Sequence, residues 1–160
     1  GLIWCKNQAQ KNGNQMKFIV FRYGRLFTHE KLEQYKNILG DRFTLVEIAK
    51  RKIPLLVAGE KSAEDGTLVQ PKNSSHYFLL TTHNMSNSNH ITHPLKIHIQ
   101  HDGLNLKTET IMQLIQVLRY APTKGFKSTR LPSPIYWADG IAAIGKTNHQ
   151  FSGLHHVESG

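Results

Sequence analysis

The sequence has little cysteine and no long hydrophobic run. Cys5 is the only cysteine among 160 residues, so the chain can form no internal disulfide and no cage of thiolate ligands around a metal. Such cysteine usage is typical of a reducing compartment. No apolar run approaches the ~20 residues of a membrane span, and no signal-peptide pattern opens the chain. We therefore predict a cytoplasmic protein that is not inserted in a membrane.

Acidic residues are also scarce. The chain has 11 Asp and Glu against 20 Lys and Arg, which gives a net charge of +9 with neutral histidines. An excess of this size favours nucleic acid as a partner, because each phosphate that a basic side chain neutralises releases bound counterions. Binding of other anions or of a membrane surface, and charge that serves only solubility, are the alternatives.

Two short apolar runs near the start, residues 17–22 (KFIVFR) and 43–48 (FTLVEI), predict strands buried on both faces. Between them, Thr28 is suited to the N-cap of a helix and Gly40 to its C-terminal stop. The order strand, helix, strand predicts a βαβ unit with parallel pairing.

The rest of the chain continues the α/β pattern. Its periodicities predict strands over residues 76–82 and 95–100, a helix over 108–120, a loop over 121–134, a helix from about 135 to 146 and a frayed polar tail over 147–160. No linker divides the sequence. We therefore predict a single α/β domain over residues 1–160, with its core in 17–146.

Histidines cluster in a polar stretch, where His83, His90 and His93 fall within the sequence HNMSNSNHITH. Their spacing matches no standard metal-binding pattern. Polar contacts to a sugar-phosphate backbone and an ordinary solvated loop are the remaining interpretations.

Carboxylates that could hold catalytic metals are dispersed along the sequence. Cleavage by two divalent cations needs clustered acids, because the two ions sit about 4 Å apart around the phosphate. Glu30 and Glu33 fall on the predicted first helix, and Glu47 falls in a buried strand. Asp139 lies where a proline-bounded turn meets a helix beside aromatic residues. The residues alone predict no two-metal centre, and the sequence has neither a G-x-S-x-G motif nor a glycine-rich phosphate loop.

Three segments resemble one family. FIVFRYGR, residues 18–25, resembles the IIVYRDG strand and turn of Argonaute PIWI domains, and EDGTLV, residues 64–69, resembles their PPGTVV turn. STRLPSPIYWADGIAAI, residues 128–144, resembles STRLPAPVHYAD of prokaryotic Argonautes. The resemblance covers residues 17–146 and the C-terminal half of a PIWI domain. It implies a partial, RNase H-like mixed sheet flanked by helices.

The resemblance also indicates where catalytic residues would lie. Active members cut the target strand with a tetrad of residues that binds Mg²⁺ or Mn²⁺. Its first three members are Asp, Glu and Asp, and the fourth is His or Asp. The fourth position falls on Asp139, the third falls on Tyr23, and the first two would lie upstream of Gly1. A phenol with a pKa around 10 cannot replace a carboxylate between hard cations. We therefore expect Asp139 to be a vestigial site residue and the only candidate metal ligand, with no metal needed for binding.

The resemblance implies an RNA- or DNA-guided protein of gene silencing or host defence, similar to the short, inactive prokaryotic Argonautes. Arg130 matches an arginine that contacts the nucleic-acid backbone, and Lys146 lies near residues that hold the guide 5′-phosphate. Loop 83–93 lies where the family contacts the guide strand. We expect duplex affinity to come from basic side chains, namely Lys50, Arg51, Lys52, Lys124, Lys127, Arg130 and Lys146.

The partners implied by the resemblance are a guide, its target, the rest of a longer or split Argonaute, and an effector protein. Two other functions stay open. One is an active metal-dependent, guide-directed endonuclease, and the other is a module that docks an effector and touches nucleic acid little.

Overall fold

The computed structural model describes residues 3, 7, 17–27, 29–50, 53, 65–81, 94–125 and 128–152, with side-chain surroundings up to residue 144. From residue 17 onward, the described residues form five strands and three helices. The strands are β1 (Phe18–Tyr23), β2 (Phe43–Ala49), β3 (Leu68–Val69), β4 (His76–Leu79) and β5 (Leu95–Asp102). The helices are α1 (Leu32–Leu39), α2 (Thr108–Tyr120) and α3 (Ser133–Ser152), and a 3₁₀ turn, Ala121–Thr123, follows α2.

The strands form one mixed sheet in the order β1-β2-β5-β4-β3. β1 and β2 run parallel, which confirms the predicted βαβ unit, and the other neighbouring strands are antiparallel. β2 lies between two strands and is buried over six of its seven residues, as expected for a central strand. β1 pairs only with β2 among the described strands and is half-buried, so the prediction that both of its faces are buried is wrong.

The core of the sheet lies where β2 meets β5. Ile48 and Ile97 are register partners, and both side chains are fully buried. Burying an isoleucine side chain contributes roughly 1.5–3 kcal/mol. Along β5 the side chains alternate, so that Leu95 and Ile97 face the core while Lys96 and His98 are half-buried. The structure thus confirms the strand that the sequence predicts over residues 95–100 and shows that it is half-exposed.

The chain divides into two compact units, residues 1–113 and 114–160, and the boundary falls within α2. The first unit contains the whole sheet and α1. The second contains the C-terminal part of α2, the 3₁₀ turn, the segment that follows it and α3.

Helix boundaries show where the sequence prediction succeeds and fails. α2 spans the predicted residues 108–120. The predicted start of the first helix at Thr28 is wrong, because residues 29–31 are not helical and α1 begins at Leu32. Gly40 ends α1 with φ 73°, and its N–H donates to Lys36 O at 2.7 Å. α3 continues to Ser152, which corrects the prediction of a frayed tail from residue 147 onward.

Some predictions fall outside the described residues, among them the histidine-rich loop 83–93 and most of the stretch before residue 17. Among the helices that the structure describes, none combines the length and the apolar character needed to cross a bilayer.

Candidate functional site

The carboxyl ends of the parallel strands β1 and β2 form the first part of the site. Tyr23 ends β1 and is the register partner of Ile48, and the Gly24 N–H donates to Ile48 O at 2.8 Å. Gly24 adopts φ 78°, a conformation that glycine reaches without steric cost. Lys50 follows β2, and its ammonium lies 5.2 Å from the centre of the Tyr23 ring. The two strand ends thus hold a cation on an aromatic ring that is 37% exposed.

The turn after β1 is closed by a charged pair that the sequence did not predict. The Arg22 guanidinium pairs with the Glu30 carboxylate and donates to Tyr23 O at 3.2 Å and to Arg25 O. Glu30 Oε2 also accepts from the Phe27 N–H at 3.0 Å. This backbone N–H, together with the guanidinium, lowers the pKa of Glu30 below 4.5. Glu30 therefore closes a turn, and its predicted place on the helix is wrong.

Glu47 ties the same turn to the middle of the sheet. Its side chain is buried, with a residue exposure of 7%. One oxygen accepts from the Leu26 N–H at 2.7 Å, and the other lies 3.2 Å from His98 Nδ1. Because both oxygens have protein partners, this carboxylate serves to hold the turn in place.

Two histidines continue this row of polar side chains across the sheet. His98 pairs in register with Glu47 on one side and with His76 on the other, and the two imidazole rings meet edge to face at 4.7 Å. The pKa of His76 lies below its usual 6.5 because burial disfavours the charged form and because Lys96 and His98 are nearby. His76 is therefore neutral at pH 7.

In the second unit, a proline turn leads into α3 as the sequence predicts. Pro132 is buried, and its carbonyl accepts from the N–H groups of Ile135 at 3.1 Å and Tyr136 at 3.0 Å. Asp139 lies on the first half of α3 with an exposed side chain, and Arg130 is half-buried in the segment before the helix. Lys124 is exposed and closes the 3₁₀ turn with φ 53°.

Arg119 is the functional candidate that sequence reasoning missed. It lies in the last turn of α2, yet it is only 1% exposed. Its Nε donates to Thr129 O at 2.7 Å, Nη1 to Gln116 Oε1 at 2.6 Å and Nη2 to Ser128 Oγ at 3.2 Å. The sequence carried a signal, because residue 119 continues the i, i+4, i+8 face that begins with the buried Ile111 and Ile115.

The predicted binding residues are only partly described. The structure brings Tyr23 and Lys50 together in the first unit. Asp139, Arg130 and Lys124 belong to the second unit. Arg51, Lys52 and Lys127 lie outside the described residues, and Lys146 is described only as part of the α3 backbone.

The resemblance implies Mg²⁺ or Mn²⁺ at this site, and these cations prefer oxygen ligands such as carboxylates. Tyr23 offers a phenol with an ammonium over its ring, and both features suit a divalent cation poorly. Among the residues that the structure describes, no group of three or more His, Cys, Asp and Glu side chains could hold a metal ion. The described donors therefore do not fit a two-cation centre.

Comparison with known proteins gives a consistent result. The family model of the Piwi domain matches residues 5–150 of the sequence, whereas no curated protein matches the sequence. Clostridium butyricum Argonaute, bound to a guide DNA and a 19-mer target DNA, is 25% identical with a TM-score of 0.65 over 84% of this chain and 18% of its own.

Two further solved structures agree. A. aeolicus Argonaute is 22% identical with a TM-score of 0.61, over 88% of this chain and 21% of its own. Marinitoga piezophila Argonaute, in complex with a 5′ OH guide RNA and target DNA, is 19% identical with a TM-score of 0.60, over 84% of this chain and 20% of its own. These likenesses confirm the predicted α/β, RNase H-like fold. The chain spans about a fifth of the length of each of these proteins.

Proposed function

Because this chain belongs to the Piwi domain family, we propose that it binds a nucleic-acid guide paired to its target and does not cut either strand. Binding is made through the sugar-phosphate backbone. Base pairing between guide and target reads the sequence, so the protein itself has little preference among sequences.

One observation carries the proposal: the Lys50 ammonium lies over the Tyr23 ring at the carboxyl ends of β1 and β2. In open α/β sheets this edge is where ligands bind. A cation fixed there attracts a phosphate directly, whereas cleavage needs carboxylates that hold divalent cations. The pair at this position therefore supports strand binding without strand breakage.

The charge of the chain supports the same proposal. A net charge of +9 supplies the long-range attraction to a polyanion. We assign the phosphate contacts to the basic residues predicted from the sequence, namely Lys50, Arg51, Lys52, Lys124, Lys127, Arg130 and Lys146. Contacts of this kind serve an RNA guide and a DNA guide alike. The C. butyricum relative holds guide DNA and the M. piezophila relative holds guide RNA.

The proposal extends to protein partners. Among the described strands, β1 ends the sheet, so one of its edges has no neighbour within this part of the chain. An unpaired strand edge is a template for another strand. We assign this edge to the remainder of a longer or split Argonaute, and an effector protein would then act on the bound target in gene silencing or host defence.

A titration tests the proposed function. The probe is a fluorescein-labelled guide DNA paired to a 19-mer target DNA, as in the C. butyricum complex, and the readout is fluorescence anisotropy. We expect Lys50→Gln and Arg130→Gln each to weaken binding. Lys72→Gln removes the same charge from an exposed turn and is the matched control, which should bind as the wild type does. Unchanged affinity in both test variants would refute the proposal.

A further inference from the structure

We infer that Arg119 is a positioning residue for nucleic-acid binding, which holds residues 128–131 so that Arg130 meets a phosphate. The inference rests on the proposed function, because it gives Arg130 a place in the interface. It concerns residues of the second unit only.

The guanidinium of Arg119 joins two parts of that unit. Nε donates to Thr129 O at 2.7 Å and Nη2 to Ser128 Oγ at 3.2 Å, while Nη1 donates to Gln116 Oε1 at 2.6 Å on its own helix. A guanidinium is planar, so three bonds in different directions fix both its plane and the groups it contacts. Residues 128 and 129 are thereby held in one orientation against the end of α2.

The backbone of the same residues completes the attachment. The Thr129 N–H donates to Arg119 O at 2.7 Å, and Thr129 Oγ1 lies 2.8 Å from that carbonyl and 2.7 Å from Leu131 O. Thr129 and Leu131 are both buried. Arg130 is therefore flanked by two anchored residues, and its side chain leaves the chain from a fixed point.

If the position served only the stability of the fold, an arginine would be an unfavourable choice, because burying its charge costs desolvation free energy. The equivalent positions one and two turns earlier on the same face are the buried Ile115 and Ile111. An apolar side chain would pack there without the desolvation cost of burying a charged group. The arginine differs from such a side chain in that it sets the conformation of residues 128–131, and this difference supports a positioning role.

A matched pair of variants tests the inference in the 160-residue chain. Thr129→Val removes the hydroxyl and keeps the shape of the side chain, whereas Thr129→Ser keeps the hydroxyl. Arg119→Lys keeps the positive charge and loses the planar guanidinium group with its several N–H donors. The probe is the labelled guide DNA with its 19-mer target DNA, titrated at a series of salt concentrations, and circular dichroism checks that each variant is folded.

We expect Thr129→Val, Arg119→Lys and Arg130→Gln each to make the slope of log affinity against log salt less negative by about 0.9, the value for one lost phosphate contact. Thr129→Ser should bind as the wild type does, and Thr129→Val should have no further effect in the Arg130→Gln background. A merely structural role predicts lower melting temperatures with an unchanged slope, and that result would overturn the inference.

A second readout does not depend on nucleic acid. The heteronuclear NOE of the Arg130 Nε–H group should fall in Arg119→Lys and Thr129→Val and should stay at the wild-type value in Thr129→Ser. If Arg130→Gln alone binds as the wild type does, Arg130 meets no phosphate and the inference is overturned, whereas the proposed function is refuted only if Lys50→Gln also binds as the wild type does. An NOE that does not change in any variant would overturn the inference.

Discussion

The Lys50 ammonium rests 5.2 Å from the centre of the Tyr23 ring, where two parallel strands end side by side. By resemblance, position 23 belongs to an acid of the metal-binding tetrad. Here the aromatic ring has a different use, because its negative face attracts the ammonium and restricts where it can lie. On the proposed function, we expect Tyr23 to contribute to duplex binding through Lys50.

Removing the ring should therefore weaken duplex binding. A cation–π contact at an exposed site contributes about 0.5–1 kcal/mol, which corresponds to a roughly two- to five-fold change in affinity. We expect a loss of this size in Tyr23→Ala and none in Tyr23→Phe, which keeps the ring. Anisotropy titration of the labelled duplex measures both. Equal affinities of the two variants would show that the ring has no part in binding.

Cleavage should be absent in the wild type. We expect an end-labelled target strand, paired to its guide, to stay intact in Mg²⁺ and in Mn²⁺, because a phenol at position 23 does not hold hard cations. Asp139→Ala should give the same result, since there is no activity to remove. Denaturing gel electrophoresis checks both. Metal-dependent cutting that disappears in Asp139→Ala would establish the active endonuclease instead.

Sequence periodicity predicted elements whose side chains follow one strong pattern. α2 is an example, because Ile111 and Ile115 repeat at helical spacing and tertiary contacts agree with that local preference. The start of α1 was predicted wrongly because a contact between residues that are separated in the sequence overrides the local pattern. Glu30 pairs with Arg22 across eight positions of the chain, and this contact keeps the residues around it in a turn. The short strand Leu68–Val69 has too few residues to show a period.

One part of the candidate site could be predicted from the sequence, because its residues follow strands that the sequence itself predicts. Tyr23 and Lys50 follow strands that the sequence placed in parallel, so their proximity could be expected. Arg119 could not be assigned in the same way. A basic residue in the last turn of a helix usually faces solvent and stabilises the helix dipole. Its burial depends on Thr129 and the residues beside it, which reach it only in the folded chain.

Stability should fall as the pH falls through the range in which His76 titrates. Because the pKa of His76 in the folded chain lies below its reference value of 6.5, the unfolded chain binds more protons in this range. The contribution of His76 to the free energy of unfolding is therefore present above pH 6.5 and is lost as the pH falls below it, at a rate of at most about 1.4 kcal/mol per pH unit. Urea unfolding between pH 5 and 8 measures the change.

A pair of histidine variants assigns this effect. His76→Phe keeps a ring beside His98 and removes the titrating group, so the decrease in the free energy of unfolding should become smaller. His29→Gln changes an exposed histidine and should leave the decrease unchanged. If the two variants show the same pH dependence as the wild type, another group is responsible.

Salt dependence of duplex affinity tests the central claim most directly. The measurement is the affinity of the chain for the labelled guide–target duplex between low and physiological ionic strength. If at least four of the seven basic residues named above contact phosphates, a plot of log affinity against log salt should have a slope between about −3.6 and −6.3, and a duplex of scrambled sequence should give the same line. A slope near zero would contradict the account, because binding would then not depend on the phosphate backbone.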